Sequence, residues 1–194
     1  MMFPTLKTNR LILREFRNTD VKAVYDSFSR DIVTEHYILE TMRSLEPAEE
    51  LVRNRISLFE KRIGTRWAIT LKGGGDRAIG SCGYYSPNKA FHSIEIGYDL
   101  HPDYWRQGFM TEALTAMISF CYGEDFPFHL NRIRALTEMG NIASIALLSK
   151  LGFVEEGVHR EYGYWKDQYH DVRVFSLLRR DWSAEFGKAS KGKN

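Results

Sequence analysis

The chain changes its hydrophobic period several times, and the order of those changes outlines its elements. In "TNRLILREF", Leu11 and Leu13 alternate with Ile12 and Arg14, which predicts a strand with one buried face. "NTDVKAVYDSF" then sets Val21, Val24, Tyr25 and Phe28 at helical spacing behind Thr19, a candidate N-cap. A second helix is expected from about 47 to 63, with Pro47 in its first turn and Leu51, Arg55 and Leu58 continuing the stripe. From Arg66 the period becomes two. "TRWAITLK" and "RAIGSCGYYS" read as antiparallel strands joined through "GGGD", whose glycines permit the positive φ angles of a tight hairpin. "HSIEIGYDL" gives another strand, with Ile94, Ile96 and Tyr98 on one face and Glu95, Gly97 and Asp99 on the other.

The second half alternates helices and strands. A helix from about Gly108 to Tyr122 carries Met110, Ala113, Leu114, Met117, Ile118 and Cys121 along one stripe that faces a core. "NRIRALTEM" is a strand, and "NIASIALLSKLGF" is a short helix with an Asn N-cap and a left-handed cap at Gly152. "EEGVHREYGYWKDQY" leads through a last hairpin to a final strand, "DVRVFSLLR". These elements make an α/β (α+β) domain over residues 1–183, a mixed, mostly antiparallel sheet of about seven strands flanked by helices. Residues 184–194, ending in the small, polar and basic "GKASKGKN", are expected to be a disordered tail.

Composition removes several classes of function. A chain of 194 residues that is 43% hydrophobic can bury one sizeable core. A formal charge of +2, from 27 basic and 25 acidic side chains spread along the sequence, gives no field that points to nucleic acid. Cys82 and Cys121 have no CxxC spacing and fit a reducing compartment. No apolar run of about 18 residues and no signal-peptide core occur, so a soluble cytoplasmic protein without membrane association is expected. The six histidines lack HExxH or any comparable ligand spacing, and no metal is expected.

One stretch does carry chemistry. The strand "IEIGYDL" feeds the loop "HPDYWRQG" and then a helix with no negative charge before Glu112. The first N–H groups of a helix lack intrahelical partners, and the aligned peptide dipoles leave that end partly positive. Gly108 lets a ligand approach the main chain without a Cβ in the way, and Arg106 adds positive charge. The pattern reads as an anion cradle, or as simple turn chemistry at a helix start.

"IEIGYDLHPDYWRQGFMTEAL", followed about thirty residues later by "NIASIALLSKLGF", resembles the GNAT superfamily of acetyl-CoA dependent N-acetyltransferases. Over nearly the whole chain it resembles their bacterial RimJ/RimL-type branch, which acetylates the N-termini of ribosomal proteins. The resemblance implies a GNAT-like fold and acetyl-CoA as co-substrate. It places the family's pyrophosphate loop, Q/R-x-x-G-x-G/A, on residues 105–110, with Gly108 as the central glycine. Trp105 stands where a polar residue is usual, and Met110 where a small one is usual. The implied cofactor contacts are Leu100, His101, Arg106, Gln107, Gly108, Phe109, Met110, Thr111, Asn141 and Ser144. Glu95 takes the place of the general base, and the main-chain amide near Leu100 that of the oxyanion donor. Ser144 becomes the candidate donor to the leaving sulfur, because the helix has Leu148 where many members have a tyrosine.

Acetyl transfer to an amine needs a positioned thioester, a neutral amine, a stabilised oxyanion and a proton for the thiolate. An N-terminal amine has a pKa of about 8 and a lysine about 10.4, so a base or a water relay suits either. Without the resemblance, Glu95 would be an exposed carboxylate or an arginine's partner, and Asn141 and Ser144 an N-cap and a first-turn serine. Tyr162, Tyr164, Trp165 and Tyr169 surround the last hairpin, either as a wall for the acceptor or as cross-strand aromatic pairs. The expected acceptor is a protein N-terminal α-amine, of the ribosomal-protein type. The alternatives are a small amine such as a polyamine, amino acid or antibiotic, and a module that binds acetyl-CoA without turnover. The oligomeric state is open, a homodimer being one possibility.

Overall fold

A computed structural model describes residues 2–185. In chain order the elements are β1 (Leu6–Lys7), β2 (Leu11–Glu15), α1 (Val21–Phe28), α2 (Asp31–Thr34), α3 (Glu46–Glu60), β3 (Gly64–Leu71), β4 (Ala78–Asn88) and β5 (Ser93–Leu100). They continue with α4 (Phe109–Tyr122), β6 (Arg132–Glu138), α5 (Ile142–Lys150), β7 (Val154–Trp165), β8 (Gln168–Leu178) and α6 (Arg179–Glu185). The strands lie in one sheet in the order β1-β2-β3-β4-β5-β6-β8-β7. Where the register is defined, β5 and β6 run parallel and the other pairs antiparallel. The expected seven strands become eight because Leu6 and Lys7 pair with Leu13 and Ile12. Two residues are too few to show a period. Among the described residues, no helix is long and apolar enough to cross a membrane. Of the expected tail, residues 184 and 185 close α6, and the rest lies outside the described residues.

The described residues form two compact units, residues 2–86 with Gly97–Ile118 and Pro87–Ile96 with residues 119–185. In the first, Phe16, Val24, Phe28, Met42, Ala48, Val52, Ala68 and Ala78 form a core against which Val21, Tyr25 and Leu51 pack. The stripes of α1 and α3 face it as their spacing predicts. Thr19, however, is not the cap. Residues 18–20 make a 3-10 turn, and the Asp20 carboxylate turns back to accept the Arg17 N–H at 2.8 Å. α3 ends at Glu60, short of the expected residue 63. Arg62 adopts φ 58°, and the N–H groups of Arg62 and Ile63 close on the carbonyls of Phe59 and Leu58.

The polar face expected for β2 is also buried. Arg14 makes a two-pronged pair with Asp20 at 2.8 Å and bonds Asp76, beyond the glycine turn, at 2.6 Å. β3 is buried on both faces for the same reason: its polar side chains find polar partners inside. Arg66 Nη2 and Arg55 Nη2 both reach Asp99 Oδ2, at 2.6 and 2.9 Å. Ser81 donates to the same oxygen and accepts from Arg66 Nε at 2.8 Å. Burial pushes the Asp99 carboxyl upward, but the two guanidiniums and Ser81 outweigh it and hold the group below its ordinary range. The Arg55 guanidinium also lies 4.9 Å from the Phe16 ring centre.

In the second unit, β6 and β8 bury Ile133, Ala135, Phe175 and Leu177 together with Leu130, Leu148 and Leu151. Tyr122 donates from its hydroxyl to the Leu177 carbonyl at 2.6 Å, and Arg179 donates to the carbonyls of Leu130 and Tyr122. Gly152, at φ 83°, ends α5 in the expected left-handed cap, with Gly152 and Phe153 N–H bonding Ser149 and Leu148. Cys82 and Cys121 are both buried thiols, and burial pushes Cys82 up to about 12.

A clamp in the first unit ties the N-terminal turn to α4. Glu112 accepts the Thr8 hydroxyl at 2.5 Å, the Arg10 N–H at 2.8 Å and Arg10 Nε at 2.6 Å. Burial acts to raise the Glu112 pKa, yet these three donors win and lower it.

Two stability changes follow. Asp99→Asn leaves two buried guanidiniums without their carboxylate and lowers unfolding free energy by about 3–5 kcal/mol, read as a fall in the urea midpoint at constant slope. Glu112→Gln costs about 1–2 kcal/mol. Because the folded pKa of Glu112 lies below its ordinary 4.5, the clamp acts in full above that pH and fades as pH falls through the folded value. The glutamine variant lacks this part of the acid loss in pH-dependent denaturation.

Candidate active site

The loop that precedes α4 is open where an anion would enter. Residues 105–108 are exposed, whereas Phe109 and Met110 are buried. Arg106 and Gly108 take positive φ, 59° and 77°. A Cβ added at Gly108 would meet only Arg10 Nη2, at 3.5 Å. The first bond of the helix runs from Glu112 N–H to the Gly108 carbonyl at 3.1 Å. The N–H groups of residues 109–111 therefore lie ahead of the first intrahelical acceptor.

Arg10 walls this loop, and sequence reading missed it. Its Nη1 donates to the Gln107 carbonyl at 3.0 Å, and its guanidinium carbon lies 4.4 Å from the centre of the Phe109 ring. Arg10 and Gln107 are 97 positions apart, so no local pattern links them. Trp105, where the resemblance expects a polar residue, donates from Nε1 to the Leu100 carbonyl at 2.7 Å. Gln107 braces the same loop through the Asp103 carbonyl at 2.8 Å. Met110 is buried among the core hydrophobics. Thr111 is half-buried, and its carbonyl accepts the Thr115 hydroxyl at 2.8 Å.

His101 makes two local bonds, while its Nε2 is buried and has no hydrogen-bond partner among the described residues. Its N–H donates to the Ile79 carbonyl at 2.9 Å, and its Nδ1 caps a short 3-10 turn by accepting the Asp103 N–H at 3.3 Å. Burial lowers the His101 pKa against the opposing pull of Asp103.

In the second unit, Glu95 and Arg134 face each other across the parallel β5–β6 pair, with Oε2 and Nη2 3.2 Å apart. The Glu95 side chain retains only 12% of its accessible surface. Asn141 caps α5 as its sequence position predicts: Oδ1 accepts the Ser144 N–H at 3.0 Å. Ser144 itself is half-buried. The hairpin shows the expected cross-strand aromatics, with Tyr164 and Tyr169 opposed at 5.1 Å and both exposed. Trp165 differs from them. It stacks on His170 at 4.1 Å and donates to Glu138 at 3.0 Å, while His170 Nδ1 lies 3.1 Å from the same carboxylate.

Comparison with known proteins agrees with this geometry. The acetyltransferase (GNAT) domain family matches residues 10–154. The uncharacterized N-acetyltransferase YoaA of Bacillus subtilis is 36% identical over 178 residues, 92% of this chain and 98% of that protein. The [ribosomal protein uS5]-alanine N-acetyltransferase of Escherichia coli is 33% identical over 94 residues, 48% of this chain and 47% of its own. Among solved structures, apo RimL, a ribosomal L7/L12 α-N-protein acetyltransferase, superposes with a TM-score of 0.79 at 19% identity, covering 92% of this chain and 96% of that one. A cradle of main-chain amides at the start of α4, on a chain matched by that domain over most of its length, makes this protein a member of the GNAT family, an acetyl-CoA dependent N-acetyltransferase.

Proposed function

We propose that the protein acetylates the N-terminal α-amine of another protein, of the ribosomal-protein kind. The names of the E. coli relative and of RimL support that choice of acceptor. The cofactor side of the reading rests on the open start of α4 between Arg106 and Arg10. Main-chain N–H groups 109–111, two guanidiniums and a glycine that a Cβ would not crowd suit the diphosphate of coenzyme A. In this reading Asn141 contacts the cofactor, and the Leu100 amide donates to the oxyanion. Ser144 donates to the departing sulfur. One catalytic domain covers residues 1–183, and the protein works in the cytoplasm.

Glu95 is the base in this scheme, taking the proton as the amine attacks the thioester carbon. Its ion pair with Arg134 orients the carboxylate, as a structural pair would also do. Activity separates the two roles. A structural partner can be lost with kcat intact once the protein is folded, whereas loss of a base lowers the chemical step.

The test is free-thiol release from acetyl-CoA with peptides bearing Ala, Ser or Met N-termini, alongside polyamines and aminoglycosides. Peptide-stimulated release supports the reading, and release stimulated only by the small amines overturns it. Glu95→Gln is expected to lower kcat about 100-fold while calorimetry shows acetyl-CoA binding retained. Gly108→Asp, which puts a carboxylate into the cradle, is expected to abolish that binding.

A further inference from the structure

His101 sits where β5 passes into the loop before α4, and its surroundings accept the ring in one protonation form. His101 keeps 6% of its accessible surface. Nδ1 accepts the Asp103 N–H at 3.3 Å, so the lone pair is there and the proton of the neutral ring is on Nε2. Nε2 is buried and meets no acceptor among the described residues. A second proton would go to Nδ1 and point at the Asp103 N–H, two donors in one place. It would also create a cation where one buried N–H already lacks a partner.

The charged groups around the ring do little to favour that proton. Asp103 lies beside it, with Oδ2 3.7 Å from Nδ1, while Asp26 and Arg30 come from α1 and Arg77 from the turn before β4. Arg30 pairs with Asp103 at 3.4 Å and Arg77 pairs with Asp26, so two carboxylates are offset by two guanidiniums. Burial outweighs Asp103 and lowers the His101 pKa from its ordinary 6.5. The neutral ring is therefore the form present at neutral pH, and it is lost as pH falls through the folded value.

Two routes connect the ring to the start of α4. The Asp103 carbonyl accepts Gln107 Nε2 at 2.8 Å, so the residue that His101 caps also braces the loop. Tyr104 lies edge-on between His101, 5.9 Å away, and Phe109, 6.1 Å away, and Phe109 is the first residue of the helix. All of these residues belong to the first unit.

We propose that neutral His101 is a positioning residue for the cofactor: its Nδ1 cap on Asp103 keeps the loop in the shape that presents the first N–H groups of α4 to the coenzyme A diphosphate. On protonation Nδ1 becomes a donor, the Asp103 N–H loses its acceptor, and the imidazolium turns to the Asp103 carboxylate instead. The 3-10 turn over Pro102–Tyr104 then opens, and acetyl-CoA affinity falls. This inference rests on the reading of the α4 start as the diphosphate seat.

The experiment measures the acetyl-CoA Kd by calorimetry at a pH of about 7.5 and of about 5, on either side of the ordinary histidine range, for the wild type and for His101→Asn. Asparagine caps with an oxygen that takes no proton in this interval. A monoester phosphate of the ligand titrates at a pKa of about 6, but it does so for both proteins, so the readout is the difference between their pH ratios. The wild type is expected to lose about fivefold more affinity on acidification than the variant. Imidazole nitrogen NMR of the wild type, which needs no variant, should find the lone pair on Nδ1 at neutral pH and its protonation in step with the loss of affinity. Equal pH ratios in the two proteins, or a neutral ring with its proton on Nδ1, overturn the inference while leaving the cradle in place. Acetyl-CoA binding retained in Gly108→Asp removes the cradle, and this inference with it.

Discussion

Asp99 holds the first unit together. One carboxylate oxygen receives Arg55 from α3, Arg66 from β3 and Ser81 from β4, while the carboxylate itself belongs to β5. Charges at such depth cost several kcal/mol each to desolvate and are tolerated only when bonded from several sides. Four elements are therefore fixed to one point, and the geometry leaves little latitude for sliding β5 against β3 and β4. The same strand carries Glu95 at its start and leads from Leu100 into the loop that precedes α4.

Much of this was legible in the order of hydrophobic periods. The stripes of α1 and α4, the glycine hairpin, the Asn141 cap and the Gly152 cap lie where spacing and residue type place them, because each depends on neighbours within a few residues. The faces of the strands were harder to read. A period-two pattern assumes that a charged side chain faces solvent. Arg66 and Asp99 face inward because each neutralises the other from far along the chain, and Arg14 because Asp20, six residues on, and Asp76, 62 residues on, both accept from it. Arg55 shows the limit from the other side, since its place in a helical stripe was correct even though its chemistry suggested the surface.

The candidate site divides along the same line. The glycine, the helix start and the serine that follows the N-cap are local features and could be read directly. Arg10 could not, because it reaches the loop from nearly a hundred residues away. Nor could the hydrogen bond of Trp105, whose indole N–H reaches the Leu100 carbonyl from the position where the resemblance expects a polar side chain.

The clamp on Glu112 also bears on how the chain is made. Thr8 and Arg10 leave the ribosome more than a hundred residues before their acceptor. The unit they belong to is discontinuous, and its second piece ends at Ile118. At typical synthesis rates of about 5–20 residues per second, the N-terminal turn stays without its partner for seconds. During that interval the first eighty-six residues carry an apolar core that lacks β5 and α4, and with them the carboxylate for Arg55 and Arg66. Contacts this distant in sequence form late, so the nascent protein is most exposed to misassociation before Asp99 emerges and least so once α4 has docked.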